Sequence, residues 1–333
     1  MSGNANQKLK LLYLADILEK ETDEEHTLSA VDLCSKLAEH NISSERKSIY
    51  SDIEVLKEFG YDIISARSPK YGYFLANRDF EPHEVRLLMD AVQAAGFITN
   101  KKSRALIEKI SSLTSVAYAE KLKKQVYFDS KQKSTNEEVY YSIDTINKAI
   151  NDSKQITFIY QKRVVNDNKV VSFSEKKHTV NPYALIWSND HYYLISNNVK
   201  YDNLMPLRVD RMRKVSIIED SHIRPLREVS EYVRVFDSSD YVSKHMNMFS
   251  GQAKPVELIC DNSIIEQILD KFGERVPIYP YNDNCFMAKF PSAINEGLVS
   301  WILQYGDKIK IASPRELKDL VIKSAKSVID NYE

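Results

Sequence analysis

Cysteine is scarce in this chain: Cys34, Cys260 and Cys285 lie far apart, leave one unpaired in any scheme, and form no C-x-x-C pair. That pattern excludes a disulfide framework and a thiol-based metal or redox centre, so all three are read as reduced and mostly buried. Long apolar runs are also missing. No stretch approaches the ~20 residues of a membrane span, and no apolar run follows a basic start, so a soluble, cytoplasmic protein is expected. Net charge is nearly absent, at a formal -1, so any nucleic-acid binding has to show in the local distribution of charge. There is no Gly-rich phosphate loop, no His/Cys metal spacing, no G-x-S-x-G, and no carboxylate pair that the sequence brings together. Neither a metal nor a cofactor is expected, and an enzyme has no support.

What is present is ordinary globular material. The chain has 333 residues, 43% hydrophobic and 28% charged, enough for two or three domains. Leu11, Leu14, Ala15 and Leu18 give a first helix an apolar face. Ser29 is positioned to cap a second helix, with Asp32 near its N-terminus, Ala30, Leu33, Cys34 and Leu37 buried, and His40-Asn41 at its end. Ser43 or Ser44 can cap a third, with Ile49, Ile53 and Leu56 inward and Glu45, Arg46, Lys47 and Tyr50 on the exposed first turns. Gly60 stops it. Residues 61–65 and 71–75 then read as a β-hairpin with a basic tip at Arg67 and Lys70.

Three helices and a hairpin make the winged helix-turn-helix order, here over residues 1–78. In that arrangement the third helix enters the major groove by its first turns while the wing reaches phosphates. Ser44, Arg46, Lys47, Tyr50, Arg67 and Lys70 are the candidate DNA contacts. Residues 1–75 nevertheless carry nine Lys and Arg against thirteen Asp and Glu, a net -4, which leaves a tri-helical protein-interaction module open. The run Ser43 to Ile53, followed by Leu56-Lys57-Glu58-Phe59-Gly60-Tyr61-Asp62-Ile63, resembles the DeoR-type helix-turn-helix of bacterial regulators. Ser51 departs from it, standing where that family commonly has arginine before the aspartate.

Residues 79–153 read as a helical linker and dimer surface. It opens at Glu81-Pro82, with stripes at Val85, Leu88, Met89 and Val92, at Leu106, Ile110 and Leu113, and at Val139, Ile143, Ile146 and Ile150. A polar run from Asp129 to Glu138 reads as a mobile joint. A homodimer is expected, because a palindromic operator needs two heads.

From Gln155 the period shortens to two. Ile156-Thr157-Phe158-Ile159-Tyr160 and the runs after it alternate as strands, with turns at Asn166-Asp167-Asn168 and Ser188-Asn189-Asp190. Residues 154–224 hold twelve Lys and Arg and seven Asp and Glu, a net +5. These runs, with His178 to Leu185, Tyr192-Tyr193-Leu194 and Leu207-Arg208-Val209-Asp210-Arg211-Met212, resemble the successive blocks of the WYL domain, Tyr192 replacing the tryptophan that names it. The resemblance implies an Sm-like or SH3-like β-barrel that senses a nucleotide or single-stranded nucleic acid.

Rings that stack on bases and guanidinium groups that fork onto phosphate suit such a ligand. Tyr160, Lys162, His178, Tyr183, Tyr193, Arg208 and Arg211 are the candidate contacts. Two alternatives stay open: the tyrosines fill the core, and Arg208 pairs with Asp210. On a regular strand, moreover, Arg208 and Arg211 face opposite sides unless the chain bends.

Residues 225–252 read as a crossover, partly helical at Ser238 to Met246. Residues 253–333 follow as strand, helix, strand, strand, helix, strand, helix. Ser263 to Glu266 reads as a capping box, Ile294, Leu298, Trp301 and Ile302 as a stripe, and Ser313-Pro314-Arg315-Glu316 as a capped helix start. This order resembles the C-terminal extension that follows many WYL domains, which implies a ferredoxin-like α+β unit. The expected whole is an α+β multidomain chain that binds a double-stranded DNA operator under control of a ligand. The competing expectation is an accessory protein that binds single-stranded RNA or DNA and modulates a partner effector such as a nuclease.

Overall fold

The computed structural model describes residues 2–68, 70–125, 133–165, 171–233 and 235–333. The expected turn at Asn166-Asp167-Asn168 and residues 129–132 of the polar joint lie outside them. The chain divides into two compact units, with the boundary between Thr135 and Asn136. That boundary falls inside the stretch expected as a linker, whose first three helices belong to the first unit and whose last belongs to the second. Among the described residues no helix is long and apolar enough to cross a membrane.

The first unit opens with α1 (Ser2–Glu21), α2 (Ala30–Glu39) and α3 (Arg46–Phe59), then the hairpin β1 (Ile63–Ala66) and β2 (Gly72–Leu75). Leu14, Leu18, Leu33, Leu37, Ile49, Ile53 and Leu56 meet in one core, as their helical spacing requires. Ser29 caps α2 in a reciprocal box with Asp32. Gly60 ends α3 at φ 116°, a conformation that glycine adopts without strain. The cap of α3 is a correction: Glu45 is the N-cap residue and makes no side-chain cap bond, while the Ser44 hydroxyl is buried without a partner. Lys10 of α1 and Asp52 of α3 form a buried ion pair at 2.6 Å.

The hairpin lies against the chain before α2 through a bridge between Leu28 and Tyr73. A Cβ on Gly72 would meet the Leu28 backbone at 2.8 Å, so only glycine allows that approach.

After the hairpin, α4 (Pro82–Ala94), α5 (Asn100–Ser111) and α6 (Val116–Gln125) pack around Val85, Met89, Ile107 and Leu122. Two predicted stripe positions are corrected here. On α5 the fully buried residues are Ser103, Ile107 and Ser111; Ile110 of the expected stripe packs against the same core while only partly buried, and Leu113 is exposed. On α4 Leu88 is exposed as well.

In the second unit, α7 (Val139–Asn151) packs on a sheet of β3 (Ile156–Val165), β4 (Val171–Ser188), β5 (His191–Asn197), β6 (Met205–Arg208) and β7 (Met212–Ile217). The order is β6-β5-β4-β3-β7, antiparallel throughout. β4 and β5 are joined by Asn189 and Asp190, both at positive φ, the two-residue turn whose twist suits a hairpin.

β4 changes partner midway, pairing with β3 as far as Val180 and with β5 from Asn181. Asn181, fully buried, holds the change. Its amide donates to Asn197 Oδ1 at 3.1 Å, and its oxygen accepts from Gln155 Nε2 at 2.8 Å and from the Arg224 N–H at 3.2 Å.

The chain then runs through α8 (Ser238–Lys244) into β8 (Ala253–Asp261), α9 (Ile265–Phe272), β9 (Ile278–Asn282), β10 (Cys285–Ala293), α10 (Glu296–Leu303), β11 (Ile309–Ser313) and α11 (Arg315–Asp330). The second sheet has the order β11-β8-β10-β9. Its core is Val256, Leu258, Ile268, Ala288, Leu298 and Ile302. Two expected caps are corrected. Asp261, not Ser263, caps the turn before α9, and Pro314 precedes α11 with no side-chain cap bond while Glu316 pairs with Lys254. Cys34 and Cys285 are only half-buried; Cys260 alone is enclosed, and all three are free.

Asn181→Ala leaves the Gln155 amide and the Arg224 N–H without their acceptor. At about 1–3 kcal/mol for each buried donor, urea denaturation is expected to show a loss of roughly 2 kcal/mol or more. A loss below about 0.5 kcal/mol, the size of an ordinary surface substitution, would reject that role.

Candidate functional site

Two surfaces carry the residues singled out from the sequence. On the first unit, Arg46, Lys47, Tyr50 and Arg67 are exposed. Arg46 and Lys47 stand on the opening turn of α3, which holds no acidic residue, and with Arg67 they form no ion pair among the described residues. Lys70 differs. Its ammonium is 2.8 Å from Asp32, in the capping box of α2, and its carbonyl accepts from Thr27 Oγ1 at 2.8 Å. The Lys70 ammonium, with the Ser29 N–H and hydroxyl, pulls the Asp32 carboxyl down to about 2. The tip is therefore fastened to α2 at Lys70, and Arg67 is left as its basic residue without an ion pair among the described residues. Pro69, in the tip between them, lies outside the described residues.

On the second unit, strand alternation puts Ile156, Phe158, Tyr160 and Lys162 on one face of β3. Register places His178 across from Phe158 and Lys176 across from Tyr160, so these side chains share that face. The His178 ring stacks on Phe158, centroids 5.6 Å apart and planes 6° apart, and meets the edge of Tyr160 at 5.9 Å. Burial, then the charges of Lys176 and Lys162, lower the His178 pKa below its ordinary value. Neither lysine has an ion-pair partner among the described residues.

Tyr193 lies across from Arg208, and Tyr160 accepts a hydrogen bond from the Arg208 N–H at 3.2 Å. The Arg208 guanidinium forks onto Asp210, Nε to Oδ1 at 3.0 Å and Nη2 to Oδ2 at 2.8 Å, and Nη2 lies 3.3 Å from His191 Nδ1. Burial alone would raise the Asp210 pKa, but the fork from Arg208 outweighs it and holds the carboxyl below its usual range. Burial and the Arg208 charge together lower the His191 pKa. Residues 209–211 form one turn of 3₁₀-helix between β6 and β7. Arg211, at the end of this turn, acts on the Tyr160 hydroxyl that also accepts from the Arg208 N–H, so the two arginines meet at one ring.

Three expectations about roles change. Tyr160 and Tyr193 are only 6% and 9% exposed, so their rings are walls and not open plates for stacking. Burial raises both phenols' pKa values. Tyr183 takes another role: it is the extra residue of a bulge between Pro182 and Ala184, its hydroxyl donates to the Arg224 carbonyl at 2.8 Å, and its ring packs in the cluster behind Tyr193 with Leu226 and Val229. Arg208 is occupied by Asp210. His191 and Lys176 were not singled out beforehand, although each lies two residues from one that was, Tyr193 and His178, on the same strand face.

The face thus presents Lys162, Lys176 and Arg211 around two histidines that are held neutral by their surroundings. The unfolded-state value of each histidine is near 6.5 and the folded value lies lower. Their contribution to stability is therefore complete above about pH 6.5 and is lost as the pH falls through the folded values. The melting temperature should drop between about pH 7.5 and pH 5.5, and His178→Gln with His191→Gln should flatten that drop. An unchanged profile in the double variant would count against it.

Residues 142–217 match the WYL domain family and residues 253–329 the WCX domain family. The first match includes most of α7, in agreement with the packing of that helix on the sheet. No curated protein matches the chain in sequence. Among solved structures, the proteasome accessory factor B/C (PafBC) of Arthrobacter aurescens is 17% identical over 98% of this chain and 47% of its own, with a TM-score of 0.28. This chain spans less than half the length of that protein. The second unit carries a WYL domain followed by a WCX domain.

Proposed function

We propose that the chain is a DNA-binding transcription regulator controlled by a ligand at its WYL domain. The observation that carries this reading is the WYL match over a sheet face with three cations and two ring-bearing walls. Lys162, Lys176 and Arg211 hold phosphate oxygens of a nucleotide or single-stranded nucleic acid, and His178 and His191 gain charge as the phosphate arrives. Arg208 orders the face through Asp210 and the Tyr160 hydroxyl.

Residues 1–78 act as a winged helix-turn-helix on a double-stranded operator. Placing Arg46 and Lys47 at the start of α3 opposes the helix dipole, and a DNA phosphate or guanine edge at that point offsets the cost. Ser44 is half-buried beside that turn, and its hydroxyl, enclosed and unpartnered among the described residues, turns outward to serve as a backbone contact. Two copies act together on the DNA, with the exposed Leu87 and Leu88 of α4 as a contact between them.

In a mobility-shift assay on the upstream region of its own gene, Arg46→Ala/Lys47→Ala should weaken binding at least about tenfold, since a bidentate base contact alone is worth about 1–3 kcal/mol. Equal binding by this variant would remove α3 as the recognition helix. Lys162→Ala/Lys176→Ala should lower affinity for a single-stranded oligonucleotide about tenfold and reduce its salt dependence, leaving operator binding intact. If oligonucleotide binding is unaffected, the ligand lies elsewhere.

A further inference from the structure

A cavity of about 640 Å³ opens within the second unit, and no residue of the basic face is among those that line it. Its walls come from three segments: Asp202, Asn203 and Leu204 before β6, residues 227–232 with Tyr241 and His245 of the crossover, and residues 251–253 leading into β8. The volume is that of a small-molecule site.

The polar capacity of the walls is unevenly used. Asp202 and Glu228 both pair with Arg224, at 2.8 and 3.1 Å, and Glu231 pairs with Lys244 at 2.8 Å. Every carboxylate in the lining is thus engaged. Arg227 and the side-chain amide of Gln252 have no partner among the described residues. The Tyr241 hydroxyl, on a side chain that is 2% exposed, is buried without a hydrogen bond, a cost that native structures seldom leave standing. The groups still unmatched are a cation and hydrogen-bond donors, so the cavity suits an acceptor-rich anion.

The shape of the walls adds a second constraint. The Tyr241 ring stacks on His245, centroids 3.9 Å apart and planes 12° apart. His245 is itself held between two carbonyl oxygens, of Tyr241 at 2.9 Å and Gly251 at 3.2 Å. Tyr232, fixed by its hydroxyl's bond to Asp240 at 2.7 Å, is a further aromatic wall. Flat, immobilised rings favour a flat ligand.

We propose that this cavity is a second ligand site, independent of the basic face, for a small planar aromatic carboxylate. Arg227 takes the carboxylate as a fork, the half-buried rings of Tyr232 and His245 take the ring, and the Gln252 amide donates to a carboxylate oxygen, while Tyr241 backs His245 from within the core. Because the walls belong to the WYL sheet, the crossover and the strand that opens the WCX domain, such a ligand links these segments.

Calorimetry on the full chain with indole-3-acetate at up to about 5 mM, an affinity range that calorimetry resolves, tests this, with indole-3-acetamide as the uncharged control. Saturable binding is expected for the acid, at least about tenfold weaker for the amide and for Arg227→Gln. Gln252→Ala should weaken it about threefold or more, while Lys176→Ala should leave it unchanged. Arg227 is exposed, so its replacement leaves the fold intact, and circular dichroism verifies this for each variant. Absence of binding by the acid, equal binding of acid and amide, an unchanged affinity in Arg227→Gln, or loss of binding in Lys176→Ala would each overturn the proposal.

Discussion

One buried amide, that of Asn181, sets the geometry of the second unit. At this residue β4 leaves β3 and joins β5, and the same side chain bonds to the start of β3 through Gln155, to the end of β5 through Asn197, and to the crossover through Arg224. An amide has both donor and acceptor, so it can satisfy strands on one side and a passing loop on the other, which an aliphatic side chain cannot. Both the basic face and the cavity depend on it. The face lies between the two halves of β4, and the Arg224 cluster that neutralises the cavity's acids is placed by the bond to its N–H.

The electrostatics of the two units are best understood from what is already paired. The net -4 of residues 1–75 is an unfavourable total for a surface that meets a polyanion, yet several of its charges are matched internally. Lys10 is spent on Asp52 within the core, Lys36 on Glu21, and Lys70 on Asp32. Lys20 and Lys57 pair with Asp16 and Glu54, so among the described residues Arg46, Lys47 and Arg67 remain with Lys8. In the second unit the same distinction separates Arg208, neutralised by Asp210, from Lys162 and Lys176. Its bidentate fork is a charge-assisted contact of the stronger kind, and it makes Arg208 a frame for the site more than a free hand within it.

Local signals were legible wherever the competing choices were few. The capping box of Ser29 and Asp32, the stop at Gly60 and the tight turn at Asn189-Asp190 all follow from side chains acting on their own backbone. Ser44, Ser263 and Ser313 failed as caps because each has neighbours able to begin the helix a residue or two away, and the chain's approach to the helix decides which does. On α5 the expected Ile110 packs on the core only partly buried, while Ser103 and Ser111 are fully buried beside Ile107; hydropathy does not mark small polar residues in a core.

The order of elements, the change from helical to strand period near Gln155, and the clustering of rings and cations between residues 154 and 224 are properties of the chain read alone, because each rests on neighbours within a few positions. Which of those rings and cations share a surface was decided by tertiary structure. Alternation along a strand assigns faces only while the phase is unbroken. The bulge at Tyr183 shifts that phase by one residue and turns its ring toward the crossover, while the 3₁₀ turn at Val209–Arg211 shifts it again and brings Arg211 to the Tyr160 hydroxyl. Both shifts depend on how the strands pair with one another and pack against the crossover, which no local pattern in the sequence expresses.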